Sequence, residues 1–537
     1  MAASSMMLRG DRFVFGEDAP QATTTAGKVS GRAENGINVF RGIPYGEDTA
    51  KTRFKAPLPV AAWSGVKECV EWSTRAPQLV GERGGRAGTA AAPQVVEPAR
   101  VGFHLPPDKG EQSENCLHVN VWTPGLRDGK KRAVLFYIHG GAYNNGTVNS
   151  DLYDGNRLCH RGDVVVVTVN HRLNAFGYMY LGELGGKEYS ESGNAGMMDI
   201  VLALKWVREN IAEFGGDPSR VLIFGQSGGG AKCATLMAMP AAKGLFHRVL
   251  TMSGQQVTAK PTAIANEVTK DVLDKLAVKY NKLDALKTLP MERIQEAARV
   301  SSAWLPVTDG GALPRDPFDP DAPGLSAGVP MMLGNTHDET VTAAGRTGAL
   351  TWEEAPRALK NSVGQYLGSY SPEEIIRRYR EIYPERDAAH VVVAAAVAFR
   401  AWPGQVIEAD RRAADSRSQP HTWVYRMDWE VPFQGHWAIH TIDLPFMFDN
   451  VALAPGMCGA SAEEQAAAQP LATAMSEMLI AFAKTGNPNC KAIPHWPSYD
   501  LKERNTMIFD TTSRVEKDPR EAERVFAAGA HYRQPGT

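Results

Sequence analysis

The sequence predicts an α/β fold built on a large, mostly parallel twisted sheet with helices on both faces. Residues 133–138 and 164–169 are short, almost wholly apolar runs rich in β-branched and aromatic side chains. A strand apolar at nearly every position belongs in a sheet covered on both sides. Residues 221–224 form a third such run, Val221-Leu222-Ile223-Phe224, which passes through a glycine turn into a helix-forming segment at 231–239. Between the second and third runs, Val201, Leu204, Val207, Ile211 and Phe214 recur at three- and four-residue spacing. That is one face of a helix, and Gly215-Gly216-Asp217-Pro218 ends it. Strand and helix therefore alternate, as in parallel α/β sheets.

The rest of the chain is read in the same way. Residues 1–16 carry Arg9 and Arg12 but no continuous apolar core and no small-residue cleavage site, so they do not read as an export signal. The expectation is a cytoplasmic protein, or an exported one if a leader has been removed. Residues 1–24 read as an N-terminal extension, 25–515 as one domain and 516–537 as a C-terminal tail. Residues 79–110 are rich in Gly, Ala and Pro with little periodicity, which suggests a functional surface loop. Residues 260–300 and 353–400 are amphipathic and helical. A late helix is expected over 471–484, followed by a Gly/Pro/Asn loop and Trp496-Pro497-Ser498-Tyr499. No internal repeat and no linker marks a second domain.

Composition narrows the function. A formal charge of −2 with 22% charged residues gives no electrostatic reason to seek nucleic acid or an acidic membrane. No apolar stretch approaches the ~18 residues that span a bilayer. An enzyme of small, fairly apolar molecules fits, with the oligomeric state left open. The six cysteines are scattered without a C-x-x-C pair, so the expectation is buried free thiols in a reducing compartment.

The chemistry is concentrated in Gly225-Gln226-Ser227-Gly228-Gly229. With 51 glycines in the chain, G-x-S-x-G alone is weak, but here a strand enters it and a helix leaves it. That is the layout of a nucleophile elbow, which lifts a serine hydroxyl above the end of a sheet. A serine nucleophile also needs a base, an acid to orient that base and donors for a developing oxyanion. His139-Gly140-Gly141-Ala142-Tyr143 follows the first buried strand, and its small residues leave backbone N–H groups free to act as such donors.

The chain resembles the type B carboxylesterases, the α/β-hydrolase family of cholinesterases and bacterial p-nitrobenzyl esterases. The resemblance runs from about Thr25 to about Asp510. It rests on Phe40-Arg41-Gly42-Ile43-Pro44-Tyr45, Ser113-Glu114-Asn115-Cys116-Leu117-His118-Val119-Asn120-Val121-Trp122-Thr123-Pro124, Asn170-His171-Arg172-Leu173, Gly193-Asn194-Ala195-Gly196, Phe214-Gly215-Gly216-Asp217-Pro218 and the elbow, all in the family's order. It implies an α/β-hydrolase fold and ester hydrolysis through an acyl-enzyme, with no cofactor and no metal. It places the nucleophile on Ser227 and the oxyanion donors on the N–H groups of Gly141, Ala142 and Gly228. The acid falls on Glu339, in a segment similar to the family's G-x-x-x-D-E-G with Thr340 in place of the last glycine. The base falls on His440, within Trp437-Ala438-Ile439-His440-Thr441-Ile442-Asp443-Leu444-Pro445-Phe446. Asp338 is a rival acid. His436 is a rival base, and its i, i+4 spacing from His440 would suit a metal pair on a helix.

The chain also departs from the family pattern. Gln226 stands where a glutamate usually precedes the nucleophile, which argues against charge-based recognition of cationic choline esters. Arg75-Ala76-Pro77-Gln78 lacks the cysteine that pairs in secreted relatives with the position of Cys116, leaving Cys69 as the nearest alternative partner. Without that tether, 79–110 at the mouth of the pocket is expected to be more mobile. Ser301-Ser302-Ala303-Trp304 resembles the edge of the acyl pocket, so Gln226, Ser302 and Trp304 are candidate substrate-pocket residues. The same machinery could instead hydrolyse carbamates or amides. A non-catalytic binding homologue is the alternative from another class, although such relatives typically lose a triad member.

Overall fold

The structure is a computed structural model that describes residues 19–79, 105–345, 350–433 and 435–535. Most of 79–110 lies outside the described residues, as do residues 1–18. An eleven-stranded sheet runs through the molecule. In chain order its strands are β1 (Arg32–Glu34), β2 (Ile37–Pro44), β3 (His118–Thr123), β4 (Arg132–Ile138), β5 (Val165–Val169), β6 (Gly216–Gln226), β7 (Arg248–Met252), β8 (Met331–Thr336), β9 (Thr422–Met427), β10 (Asn505–Phe509) and β11 (Arg514–Lys517). Across the sheet they lie in the order β11-β10-β9-β8-β7-β6-β4-β5-β3-β2-β1. From β5 to β10 every pairing is parallel, while β1, β2, β3 and β11 join antiparallel at the two sides.

The apolar runs take the predicted places. All residues of β4 and β5 are buried, and apolar side chains from alternate positions enter two separate cores, one on each face. The helix read from Val201, Leu204 and Val207 is α1 (Ala195–Asn210), continued by a 3-10 turn at Ile211–Phe214. It stops at Gly215, which sits at φ 72° in the left-handed region. Gly216 to Pro218 open β6. The helix after the elbow is α2 (Gly228–Met237), three residues earlier than the apolar pattern suggests. Glycines at its start carry no hydrophobic signal, so periodicity could not show them as helical.

The late helix is longer than predicted. It spans Ala462–Thr485, opened by Ser461, which accepts from the Glu464 N–H while Glu464 accepts in return. Pro470 lies inside it, and that residue makes the first two turns read as loop. The chain after residue 515 supplies the second half of β11 and then the helix Glu521–Ala527. Gln534 binds back to the backbone of Gln255 and Val257. A three-stranded sheet of Gln21–Thr23, Lys28–Ser30 and Val66–Glu68 lies beside the main one. All six cysteines are free thiols, Cys69 and Cys116 included. No single helix among the described residues is long and apolar enough to cross a membrane.

Candidate active site

The carboxyl ends of parallel strands are where α/β sheets bind ligands. Four segments leave the sheet there: 139–145 after β4, Ser227 after β6, Glu339 after β8 and His440 beyond β9. Ser227 has φ 57° and ψ −127°, a conformation an L-residue holds only when its surroundings impose it. Two glycines make the turn possible. A Cβ on Gly225 would lie 2.4 Å from the Gly229 carbonyl carbon, and one on Gly229 would lie 2.0 Å from the Ile138 oxygen. The Ser227 N–H donates to the Met252 carbonyl at 2.7 Å, which pins the elbow to the neighbouring strand β7.

The segment 139–145 forms a strap against the elbow. Gly141 and Ala142 both have positive φ, 90° and 53°. The Gly140 carbonyl accepts from His139 Nδ1 at 2.8 Å, and the Gly141 carbonyl accepts from the N–H groups of Asn144 and Asn145 at 3.2 and 3.1 Å. Within a trans peptide the C=O and N–H point in opposite directions. Holding these two carbonyls therefore turns the N–H groups of Gly141 and Ala142 the other way. Neither N–H finds an acceptor among the described residues. Gly228 lies close by, since a Cβ there would stand 2.1 Å from the Ala142 oxygen. Its N–H is the first of α2, at the positive end of the helix.

Glu339 is buried and accepts three hydrogen bonds. Oε1 takes the Thr336 N–H at 2.7 Å and Asn335 Nδ2 at 3.2 Å, and Oε2 takes Nδ1 of His440. Burial alone would push its carboxyl up. The His440 ring and the hydrogen bonds outweigh that and hold it below the ordinary glutamate range. The bond fixes the ring's tautomer, with the proton on Nδ1 and a lone pair on Nε2. Nε2 faces Gln226 Nε2 at 3.3 Å, while Ser227 Oγ makes no hydrogen bond among the described residues.

The rival residues are placed elsewhere. Asp338 accepts from the Ala438 N–H at 2.9 Å and pairs with His337 at 2.7 Å, so it ties the His440 loop to the Glu339 loop and does not bind His440. His436 is exposed at φ 45° in irregular backbone, so its spacing from His440 does not stack the two rings on a helix. Ser302 is exposed, and its carbonyl accepts from Asn144 of the strap at 2.9 Å. Trp304 is enclosed in the core, with Nε1 donating to the Ala298 carbonyl at 3.3 Å.

Two further residues border the site. Asp443 is fully buried and accepts from the Tyr425 hydroxyl at 2.7 Å, while its other oxygen has no partner. Burial above all, with the Tyr425 bond opposing and the Glu339 charge adding, raises its carboxyl to about 6. The sequence displays Asp443 only as part of the His440 segment. Lys232, on α2, is likewise buried, and its one signal in the sequence is a charge within the otherwise uncharged helix Gly228–Met237.

The carboxylesterase family model matches residues 18–527. The chain is 33% identical over 517 residues to the para-nitrobenzyl esterase of Bacillus subtilis, covering 94% of this chain and 97% of that protein. It is 28% identical over 519 residues to the phenmedipham hydrolase of Pseudarthrobacter oxydans, covering 93% and 97%. Among solved structures, the Geobacillus stearothermophilus carboxylesterase EST55 at pH 6.2 superposes with a TM-score of 0.78 at 33% identity, covering 94% of this chain and 99% of that one. An elbow serine, a glutamate-bound histidine and a strap with unengaged N–H groups thus sit within a likeness that spans nearly the whole chain, which belongs to the carboxylesterase family.

Proposed function

We propose that this serine hydrolase cleaves small, fairly apolar carboxylic esters, using Ser227 as nucleophile, His440 as base and Glu339 as the acid that orients it. The observation that carries this reading is the His440 ring, bound at Nδ1 by Glu339 and turning Nε2 toward Gln226 at the elbow. Ser227 Oγ attacks the ester carbonyl and its proton passes to Nε2. The N–H groups of Gly141, Ala142 and Gly228 stabilise the oxyanion. Imidazolium returns the proton to the leaving alcohol, giving an acyl-enzyme, and water then repeats the sequence in reverse roles. We assign the activity to one unit of residues 25–515 together with the strand end and helix that follow it, and the free thiols support a reducing, cytoplasmic setting.

Carbamate hydrolysis at the same serine is the second reading, favoured by the likeness to phenmedipham hydrolase. A carbamate carbonyl is less electrophilic because nitrogen donates into it, so the same residues would act more slowly. Labelling with a fluorophosphonate, followed by mapping of the modified peptide, tests the assignment. The label is expected on Ser227, with p-nitrophenyl esters turned over faster than the matching carbamates. A label elsewhere, or none, would remove Ser227 from the role.

A further inference from the structure

Lys232 lies on α2, five residues beyond Ser227, with none of its surface exposed. Its ammonium donates to the Ala142 carbonyl at 2.6 Å and to the His139 carbonyl at 3.4 Å. It stands 5.0 Å from the centre of the Tyr143 ring, and it forms no ion pair among the described residues. Burying an ammonium without a carboxylate is expensive, and an apolar side chain of the same length would fill the space at less cost. A local arrangement that sacrifices stability in this way marks a functional constraint.

The two carbonyls it holds are the ones left over in the strap. Those of Gly140 and Gly141 are already bound by His139 Nδ1 and by the Asn144 and Asn145 N–H groups. With Lys232, all four carbonyls from His139 to Ala142 are gripped from within the fold. The opposite side of the strap keeps only N–H groups.

We propose that Lys232 is a positioning residue for the oxyanion site, clamping the His139 and Ala142 carbonyls on either side of the Gly140–Gly141 and Gly141–Ala142 peptides so that the N–H groups of Gly141 and Ala142 stay turned toward the reacting carbonyl, with its positive charge set behind them. The inference rests on the esterase reading of Ser227.

The groups around the ammonium are consistent with this role. His139, at the end of β4, stacks on His171, beyond β5, with ring centres 4.7 Å apart. Burial, and then the nearby Lys232 charge, hold His139 down to about 3, and burial, then the His139 ring and Lys232, hold His171 well below its usual value, so both are neutral. Arg172 beyond them is neutralised by Asp199 at 2.6 Å. The remaining neighbours are the Tyr143 phenol and the Cys233 thiol, and burial raises both above their usual range. Burial also pushes the Lys232 ammonium down to about 7, so its charge is lost on the alkaline side of neutrality.

The test compares Lys232→Met and Lys232→Gln with the unmodified protein on a p-nitrophenyl ester and an aryl trifluoromethyl ketone, which mimics the tetrahedral intermediate. Lys232→Met is expected to lower kcat by about 10- to 100-fold, the scale of a weakened oxyanion site, with KM changed by less than about threefold. Affinity for the ketone should fall by the same factor as kcat. Lys232→Gln keeps a neutral donor and should recover part of the loss. The unmodified enzyme should lose kcat as pH rises past neutrality, and that descending limb should be missing from both variants. Unchanged kcat and ketone affinity in a folded Lys232→Met would overturn the proposal. Should Lys232→Met not fold, Lys232→Gln retaining the alkaline limb would overturn it instead. Fluorophosphonate labelling separates the two readings, because absence of label on Ser227 in the unmodified protein defeats the esterase assignment itself.

Discussion

Gln226 Nε2 lies 3.3 Å from Nε2 of His440, on the ring edge opposite the one bound by Glu339. In the tautomer that Glu339 imposes, Nε2 is an acceptor and the Gln226 amide donates to it. The proposed base therefore rests against the residue preceding the proposed nucleophile, and the proposed mechanism requires that amide to give way to the Ser227 hydroxyl.

Gln226→Glu puts a carboxylate where the neutral amide now faces the ring. A carboxylate at this distance stabilises imidazolium, so less of the enzyme holds a free base at a given pH. The acid limb of kcat/KM is expected to move to higher pH by about one unit. Profiles from pH 5 to 9 decide it. An unmoved or downward-shifted limb would mean that the side chain turns away from His440 during turnover.

Ser227→Ala should fold normally and lower kcat by about 10⁵- to 10⁶-fold, because truncating the nucleophile disables the residues that act with it. His440→Ala should behave similarly. His436 is exposed and bound to neither Glu339 nor the elbow, so His436→Ala should keep most activity. Greater damage from the His436 change would mean the wrong ring has been taken as base.

The candidate site residues stand out in the sequence because each sits in a short local pattern: a strand, a glycine turn and a helix around Ser227, and strand ends before His139 and Glu339. What local pattern does not reveal is who touches whom. Lys232 reads as an ordinary helical charge until the strap, 90 residues earlier in the chain, closes over it. Asp338 and Glu339 are adjacent in sequence, and only the packing of the 436–440 loop separates a structural carboxylate from the one that binds the base. The start of the late helix was masked by Pro470, although Ser461 and Glu464 carry its capping signal.

The acyl edge gives a prediction about substrate length. Ser302, the proposed edge residue, is exposed, and its carbonyl accepts from Asn144 of the strap. A small side chain there leaves room for acyl chains longer than acetyl, each buried methylene adding about 0.8 kcal/mol until the space is filled. Butanoyl or hexanoyl esters should therefore have higher kcat/KM than acetyl esters, and Ser302→Phe should reverse the order. Acetyl preference in the unmodified enzyme would place the pocket walls on other residues.

Asp443 links stability to pH. Its carboxyl is raised from an ordinary 3.8 to about 6 by burial, so the folded protein prefers the neutral acid more strongly than the unfolded chain does. The stability this contributes is complete below about pH 4, declines as pH rises from about 4 to about 6, and is gone above that. A shift of about two units corresponds to about 3 kcal/mol of lost stability on the alkaline side. Asp443→Asn keeps an oxygen to accept from Tyr425 and has no proton to lose, so it escapes the decline. Its stability relative to the unmodified protein, from urea unfolding, should improve between pH 4 and pH 7 by about 2 to 3 kcal/mol and stay level to pH 8. Removing a negative charge near Glu339 should also leave the triad assembled, with kcat reduced by less than about tenfold. An advantage independent of pH would mean that Asp443 does not titrate in this window.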